Sequence, residues 1–199
     1  TDRSELQAQS ITKQLEKTFT LDDKGTPTDP SDDVTQTSAL RVTSANSVDW
    51  SVKRGWYMDL NEPSSGGERV VTQALLRYGR VIFLTVIPST DSCNAGGESW
   101  LMELDAVTGA QTTDSSFDFN NDGKFDSADL IEGDGAASGV KTTVGITKPP
   151  AWFTGSDGKD FKVMTGTTGG IQSLGNKGGG GTNPPAGGSL RRTYWRQIQ

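Results

Sequence analysis

Residues 78–88 read Tyr-Gly-Arg-Val-Ile-Phe-Leu-Thr-Val-Ile-Pro, and this stretch decides the fold class. Its centre, Val81–Ile87, is an apolar run interrupted only by Thr85 and rich in β-branched residues, which is typical of a strand buried on both faces. A second apolar segment, residues 70–76, precedes Tyr78–Gly79, so the two segments predict a β-hairpin. Pro88 ends the returning strand because proline has no amide hydrogen to donate to a neighbour.

Short strands are predicted on both sides of this hairpin. The segment 4–18 does not choose between helix and strand, because its apolar spacing fits neither period cleanly. The other strand candidates are Arg41–Thr43, Val48–Trp50, Gly55–Leu60, Trp100–Ala106, Thr142–Ile146, Phe161–Met164 and Thr193–Ile198. Many short strands with glycine-rich turns and no long helical pattern predict an all-β architecture.

Two segments have the composition of loops. Residues 19–37 are rich in Asp, Thr and Pro, and residues 175–189 are rich in Gly and Pro, so both are predicted to be flexible. The chain has 199 residues, which suits one domain or a piece of a larger protein. Because it begins with Thr1 and not Met, we expect a trimmed fragment, with 1–199 forming a single β domain.

Composition excludes several functions. The chain has no histidine, so it lacks imidazole-based catalytic triads and the common zinc sites. The net charge of −6 without a basic stripe argues against nucleic acid, and no apolar run approaches the roughly 18–20 residues that span a membrane. The single cysteine, Cys93, is either a free thiol or paired with a cysteine elsewhere in a longer chain. We therefore expect no catalytic residues and no enzyme activity.

Residues 118–129 read Asp-Phe-Asn-Asn-Asp-Gly-Lys-Phe-Asp-Ser-Ala-Asp and match the calcium loop of EF-hands. Gly123 occupies the sixth position, where the backbone must turn sharply. The predicted ligands are the side chains at loop positions 1, 3, 5, 9 and 12 and one carbonyl at position 7, namely Asp118, Asn120, Asp122, Asp126, Asp129 and Lys124. Seven acidic residues between 114 and 134 would repel one another without a cation. Ca²⁺ is therefore the expected cofactor, held by a loop inserted at 114–134.

Two questions about this loop stay open at the level of sequence. Asp129 stands where EF-hands usually have a glutamate, and its side chain is one methylene shorter, so closure of the site could fall to Asp129 or to Asp126. The ion could act as a structural clip or as a switch, and the clip is favoured. An acidic surface turn that binds nothing is the alternative to both.

A set of segments, taken together and in order, carries a family resemblance: Thr1–Leu6, Val48–Ser51, Arg54–Leu60, Gly67–Val71, Gly79–Phe83, Ile87–Cys93, Gly96–Asp105, Thr108–Gly109 and Trp195–Gln197. They resemble the C-terminal region of the PilY/PilC family of type IV pilus tip-associated biogenesis and adhesion proteins. The resemblance covers nearly the whole chain apart from the two loops.

The resemblance implies part of a modified β-propeller with an EF-hand-like loop. It also implies a calcium-dependent role in pilus assembly, surface attachment and twitching motility, at the pilus tip or cell surface of a Gram-negative bacterium. The implied partners are the rest of the same chain, minor pilins, and host or abiotic surfaces. The family's calcium ligands carry over to Asp118, Asn120, Asp122, the Lys124 carbonyl and Asp126, while Asp129 rests on the loop pattern.

Two alternatives come from other classes. Leu104–Gly109 resembles a blade motif of PQQ-dependent dehydrogenase propellers, although such enzymes need a complete propeller. The single calcium loop resembles a dockerin-type interaction module, although dockerins carry two loops in tandem.

Overall fold

The computed structural model describes residues 2–22, 31, 33–60, 66–90, 96–155 and 159–178. Within these ranges the chain is all-β, as predicted, with short 3₁₀ helices at Arg3–Glu5 and Ser127–Asp129 and no α-helix. None of these helices is long and apolar enough to span a membrane. The strands are β1 Gln7–Gln9, β2 Ile11–Asp22, β3 Val34–Thr43, β4 Trp56–Met58, β5 Arg69–Val70, β6 Leu75–Arg77, β7 Arg80–Pro88, β8 Gly97–Asp105, β9 Phe117–Asp118, β10 Gly139–Lys141, β11 Ala151–Thr154, β12 Asp160–Thr165 and β13 Ile171–Asn176.

The largest sheet has seven strands in the order β2-β3-β10-β8-β7-β5, with β6 also paired to β7. β7 is central, as its apolar run predicts, because β8 lies on one side and β5 and β6 lie on the other. The predicted hairpin turn is confirmed, since Arg77 pairs with Arg80 across two residues. The predicted strand 70–76 is split into β5 and β6, because residues 71–74 are not part of a strand. Tyr78 and Gly79 have φ angles of 52° and 73°, which is the type I′ turn that matches the twist of a hairpin.

A second, four-stranded sheet has the order β11-β12-β13-β9, and the short parallel pair β1-β4 stands apart from both. The hydrophobic core joins the two large sheets. Leu40, Leu84 and Leu101 come from the seven-stranded sheet, and Phe117 and Met164 come from the four-stranded sheet. The sheets are not closed into a barrel, so the core is a layer between open sheets.

A buried ion pair also links the two sheets. The Lys162 ammonium of β12 donates to the Glu103 carboxylate of β8, and neither side chain is exposed to solvent. The same ammonium donates to the Ser116 carbonyl at 3.2 Å and lies 4.1 Å from the centre of the Phe117 ring. Burial lowers the pKa of Lys162, and the neighbouring Glu103 carboxylate opposes that shift. Arg80 adds a second cation, 3.7 Å from Glu103.

A second buried ion pair lies within the seven-stranded sheet. The Arg41 guanidinium donates to both oxygens of Glu68, at 2.5 and 2.8 Å, and both side chains are fully buried. The guanidinium also stacks on Trp100, 4.0 Å from the ring centre. This bidentate contact fastens the segment before β5 to β3.

The structure corrects several predictions. The polar loop 19–37 is shorter than predicted, because residues 19–22 and 34–37 extend β2 and β3 and pair with each other. Phe19 is buried in the core, and this burial keeps the first residues of the segment in a strand although the segment is polar in composition. Val48–Trp50 is not a strand: Val48 is buried, but its backbone joins no ladder. The 4–18 segment, which the pattern left undecided, is mainly strand.

The predicted strand 142–146 is also wrong, since β10 ends at Lys141 and a turn follows. Gly139 sets this register because its backbone approaches β8 closely. A Cβ at that position would lie 2.3 Å from the Met102 sulfur. The Trp100–Ala106 and Phe161–Met164 strands are confirmed as the main parts of β8 and β12. The predicted loop 175–189 begins later than expected, because Gly175 and Asn176 belong to β13 and pair with β12 and β9. The predictions for Cys93, for the strand 193–198 and for residues 179–189 lie outside the described residues.

Candidate metal centre

The predicted calcium loop lies in a long excursion from the seven-stranded sheet. After β8, residues 106–138 cross to the four-stranded sheet, where β9 pairs with β13, and then return to β10 beside β8. Asp118 is the last residue of β9, and the loop ends in the 3₁₀ helix Ser127–Asp129. An isolated bridge between Ile131 and Gly135 closes the next turn. The loop is therefore anchored at both ends by the folded core.

The backbone reverses at the position that the motif predicts. Gly123 has φ of 77° and Asn121 has φ of 58°, so two residues of the turn are left-handed. Glycine adopts this conformation without strain, and asparagine tolerates it better than most residues. A Cβ at Gly123 would also lie 1.7 Å from the Lys159 ammonium nitrogen, so the Lys159 side chain would have to move to admit a side chain there.

The side chains of the loop fold back onto its own amides. The Gly123 amide donates to Asp118 Oδ2 at 2.8 Å, and the Ala128 amide donates to Asp126 Oδ1 at 2.9 Å. The Phe119 amide donates to Asp129 Oδ1 at 2.7 Å, which ties the end of the loop to its beginning. Two shorter-range contacts complete the set, from the Asp122 amide to Asn120 Oδ1 at 3.2 Å and from the Lys124 amide to Asp122 Oδ1 at 2.7 Å.

Two carboxylates of the loop are buried and incompletely satisfied. Asp118 is 5% exposed and Asp129 is 0% exposed, yet Asp118 Oδ1 and Asp129 Oδ2 have no hydrogen-bond partner. Burial raises the pKa of Asp118, and burial raises the pKa of Asp129 to about 6, with the charge of Asp118 adding to the effect on Asp129. Two such carboxylates at the first and last loop positions are costly when ionised, unless a cation neutralises them.

The structure places the remaining predicted ligands on the outside of the loop. Asp122 and Asp126 are exposed, Asn120 is half-buried, and Lys124 is exposed with its ammonium 3.6 Å from Asp122. Among the described residues, no three His, Cys, Asp or Glu side chains stand close enough together to hold a metal ion. The geometry thus brings Asp118 and Asp129 together and leaves Asn120, Asp122 and Asp126 around the rim of the turn.

Two residues that the sequence does not single out shape this site. Gly175 of β13 pairs with Asp118, and a Cβ there would lie 2.6 Å from the Asp118 Cβ, so the carboxylate needs a glycine beside it. Lys17 of β2 donates to two carbonyls at the end of the loop. No sequence signal identifies either one, because each is brought to the loop from a distant part of the chain by strand pairing.

Several known proteins resemble this chain in sequence or in fold. No protein-family model matches the chain. The type IV pilus biogenesis factor PilY1 homolog of Xylella fastidiosa is 31% identical over 147 residues, which cover 72% of this chain. PilY1 of Pseudomonas aeruginosa PAO1 is 28% identical over 132 residues, or 63% of this chain. The crystal structure of the Pseudomonas aeruginosa PilY1 C-terminal domain covers 89% of this chain with a TM-score of 0.69.

The chain belongs to the PilY family. It corresponds to a C-terminal region of these proteins, as the sequence resemblance predicts. This PilY-family chain spans 11% and 10% of the length of the two curated relatives, and it matches 32% of the solved C-terminal domain. The identity to that solved domain is 22%, so the likeness supports the β-rich fold. The names of the relatives describe pilus biogenesis factors and mention no reaction.

Proposed function

We propose that this chain is a calcium-binding part of a type IV pilus biogenesis factor, with no catalytic activity of its own. One observation carries the calcium assignment. Asp118 Oδ1 and Asp129 Oδ2 are buried acceptors without partners, and they belong to the first and last positions of a loop that turns at Gly123. A divalent cation supplies the charge and the electron-pair acceptor that these oxygens lack.

The donor set fits calcium. Asp118, Asn120, Asp122, Asp126 and Asp129 offer side-chain oxygens, and Lys124 offers its carbonyl, so the ligands are all hard oxygen donors. Ca²⁺ accepts six to eight such oxygens in flexible geometry, whereas Mg²⁺ requires a strict octahedron and holds its waters. The exposed acids would complete the ligand shell around the buried pair.

The fold suggests a structural use for the ion. Residues 106–138 leave one sheet, contribute β9 to the other and return, so an ion bound between Asp118 and Asp129 would fasten this excursion. A structural clip is therefore our preferred role, ahead of a switch. We also propose that the two open sheets are parts of blades of a modified β-propeller and that the loop is an EF-hand-like insertion between them.

The wider role follows from the relatives named as type IV pilus biogenesis factors. We propose that the protein acts at the pilus tip or cell surface of a Gram-negative bacterium, together with minor pilins and the rest of its own chain. Support of pilus assembly, surface attachment and twitching motility completes this proposal.

The test is calorimetric titration of the chelator-stripped chain with Ca²⁺, with Mg²⁺ as a competitor. We expect binding at one site, selective for calcium and lost in Asp122→Ala. Asp114→Ala is the matched control: it removes the same group from an exposed position outside the ligand positions 118–129, where the carboxylate contacts Lys177. Circular dichroism should show unchanged strand content in both variants, as expected if the hairpin at 69–87 remains folded. Unchanged calcium affinity in Asp122→Ala would refute the site.

A further inference from the structure

A lysine from the edge strand β2 holds the end of the candidate calcium loop. The Lys17 ammonium donates to the Leu130 carbonyl at 2.5 Å and to the Ala128 carbonyl at 3.3 Å. These two carbonyls belong to the residues on either side of Asp129. The backbone position of Asp129 is therefore fixed by a side chain that is more than a hundred residues away in sequence.

An aromatic contact from the same strand holds Asp129 from the other direction. Phe19 stacks on Phe119, with ring centres 4.7 Å apart and an angle of 20° between the planes. The Phe119 amide is the donor to Asp129 Oδ1. The Lys17 ammonium also lies 4.5 Å from the centre of the Phe19 ring, so the two contacts form one unit.

The contacts of Lys17 and Phe19 take the place of the helix that follows the calcium loop in EF-hands. In EF-hands the residue at the twelfth position is a glutamate on the helix that follows the loop. Here the residue is the shorter Asp129, and only the three-residue 3₁₀ helix Ser127–Asp129 stands in that place. A shorter side chain reaches an ion only if its backbone is held closer to the ion.

We infer that Lys17 is a positioning residue for the calcium site, which fixes Asp129 as its closing ligand. The inference rests on the proposed calcium function and deepens it, because it assigns closure of the site to Asp129 and not to Asp126. Groups that orient a metal ligand from behind, like Lys17, commonly change metal affinity by roughly 10–100-fold when they are removed.

The direction of the change in calcium affinity distinguishes a positioning role of Lys17 from a purely electrostatic role. A lysine near a calcium ion repels it, so removal of a mere neighbouring charge should tighten calcium binding. Removal of a positioning residue should weaken it. Lys13 is the matched control, because it lies on the same strand and the same face as Lys17, and its ammonium contacts Asp134, which lies outside the ligand positions 118–129.

The experiment compares Lys17→Met, Lys17→Arg and Lys13→Met with the unmodified chain by calcium calorimetry. We expect Lys17→Met to weaken calcium binding by roughly 10-fold or more. Lys17→Arg should restore affinity, because a guanidinium donates to both carbonyls, and Lys13→Met should bind equally or more tightly. Europium luminescence lifetimes in H₂O and D₂O should report at least one additional coordinated water in Lys17→Met, which a purely structural role would not produce.

Two results would overturn the inference while the proposed function stands: equal or tighter calcium binding in Lys17→Met, or unchanged europium hydration. Absence of calcium binding by the unmodified chain would refute the proposed function and this inference together. Hydrogen exchange of the unmodified chain tests the inference even if the Lys17 variants fail to fold. Calcium should slow exchange in residues 17–19 of β2 as well as in 118–131, and protection confined to the loop would count against the role of Lys17.

Discussion

Replacement of Lys162 by methionine should destabilise the protein strongly, because it leaves the Glu103 carboxylate buried without its partner. Both side chains are fully inaccessible, and the ammonium is held between β8 and β12 by Glu103 and by the Ser116 carbonyl. Methionine keeps the length and the apolar stem of lysine, so the packing against Phe117 and Trp152 is largely preserved. The change therefore removes the charge and little else.

The magnitude follows from what remains around Glu103. Loss of one partner of a buried pair costs about 3–5 kcal/mol. Arg80 lies 3.7 Å from the same carboxylate and compensates in part, so we expect a loss near the lower end, about 3 kcal/mol. At roughly 2–4 °C per kcal/mol for a domain of this size, the melting temperature should fall by roughly 6–12 °C.

A double-mutant cycle with urea unfolding, followed by tryptophan fluorescence, measures this effect. Lys162→Met combined with Glu103→Leu removes both charges, so the double variant should be more stable than the sum of the two single changes predicts. Lys177→Met is the control, because the Lys177–Asp114 pair is partly exposed and should contribute little. A loss below about 1 kcal/mol in Lys162→Met, or strict additivity in the cycle, would refute the reasoning.

Three further predictions concern other parts of the fold. Gly175→Ala should displace Asp118, weaken calcium binding and lower the free energy of chemical unfolding by about 1–3 kcal/mol. Gly96→Ala is the control and should be neutral, because a Cβ there meets nothing within 4 Å. Equal effects of the two changes would contradict the close approach at β13. Arg41→Met should cost about 3–5 kcal/mol in the same assay because it leaves Glu68 buried and unpaired, and a neutral result would show that the pair is dispensable. Chelation should speed hydrogen exchange across 118–131, the segment that the ion is proposed to fasten, and leave β7 and β8 unchanged; exchange that is equal with and without chelator would argue against a structural ion.

The sequence predicts the centre of the large sheet well because local signals and tertiary structure agree there. Val81–Ile87 is apolar except at Thr85, and β7 indeed has neighbours on both sides. The Tyr78–Gly79 turn is also readable, since glycine supplies one of the two left-handed residues. At the edges of the sheet, the local sequence pattern and the observed strands disagree. Residues 19–22 begin a segment, 19–37, that is polar in composition as a whole, but they extend β2 because Phe19 packs into a core formed by residues that are distant in sequence.

The candidate site is predictable as a motif but not as a geometry. The spacing of residues 118–129 identifies the turn at Gly123 and the acids around it. It does not reveal that Asp118 and Asp129 are buried while Asp122 and Asp126 are exposed, because burial depends on the strands packed behind the loop. Strand pairing, which brings Gly175 and Lys17 to the loop, is set by contacts between distant segments. No local pattern encodes it.

The excursion between β8 and β10 has a consequence for how fast the protein folds. These two strands are neighbours, with Gly139 opposite Met102, but residues 106–138 lie between them in the chain. The pairing must therefore wait for a long segment to close, and closure costs more entropy as the free segment lengthens. Under the proposed function, an ion that ties Asp118 to Asp129 shortens the segment that remains free. Calcium should then raise the folding rate as well as slow unfolding, so the order in which the two sheets form depends on when the chain meets the ion.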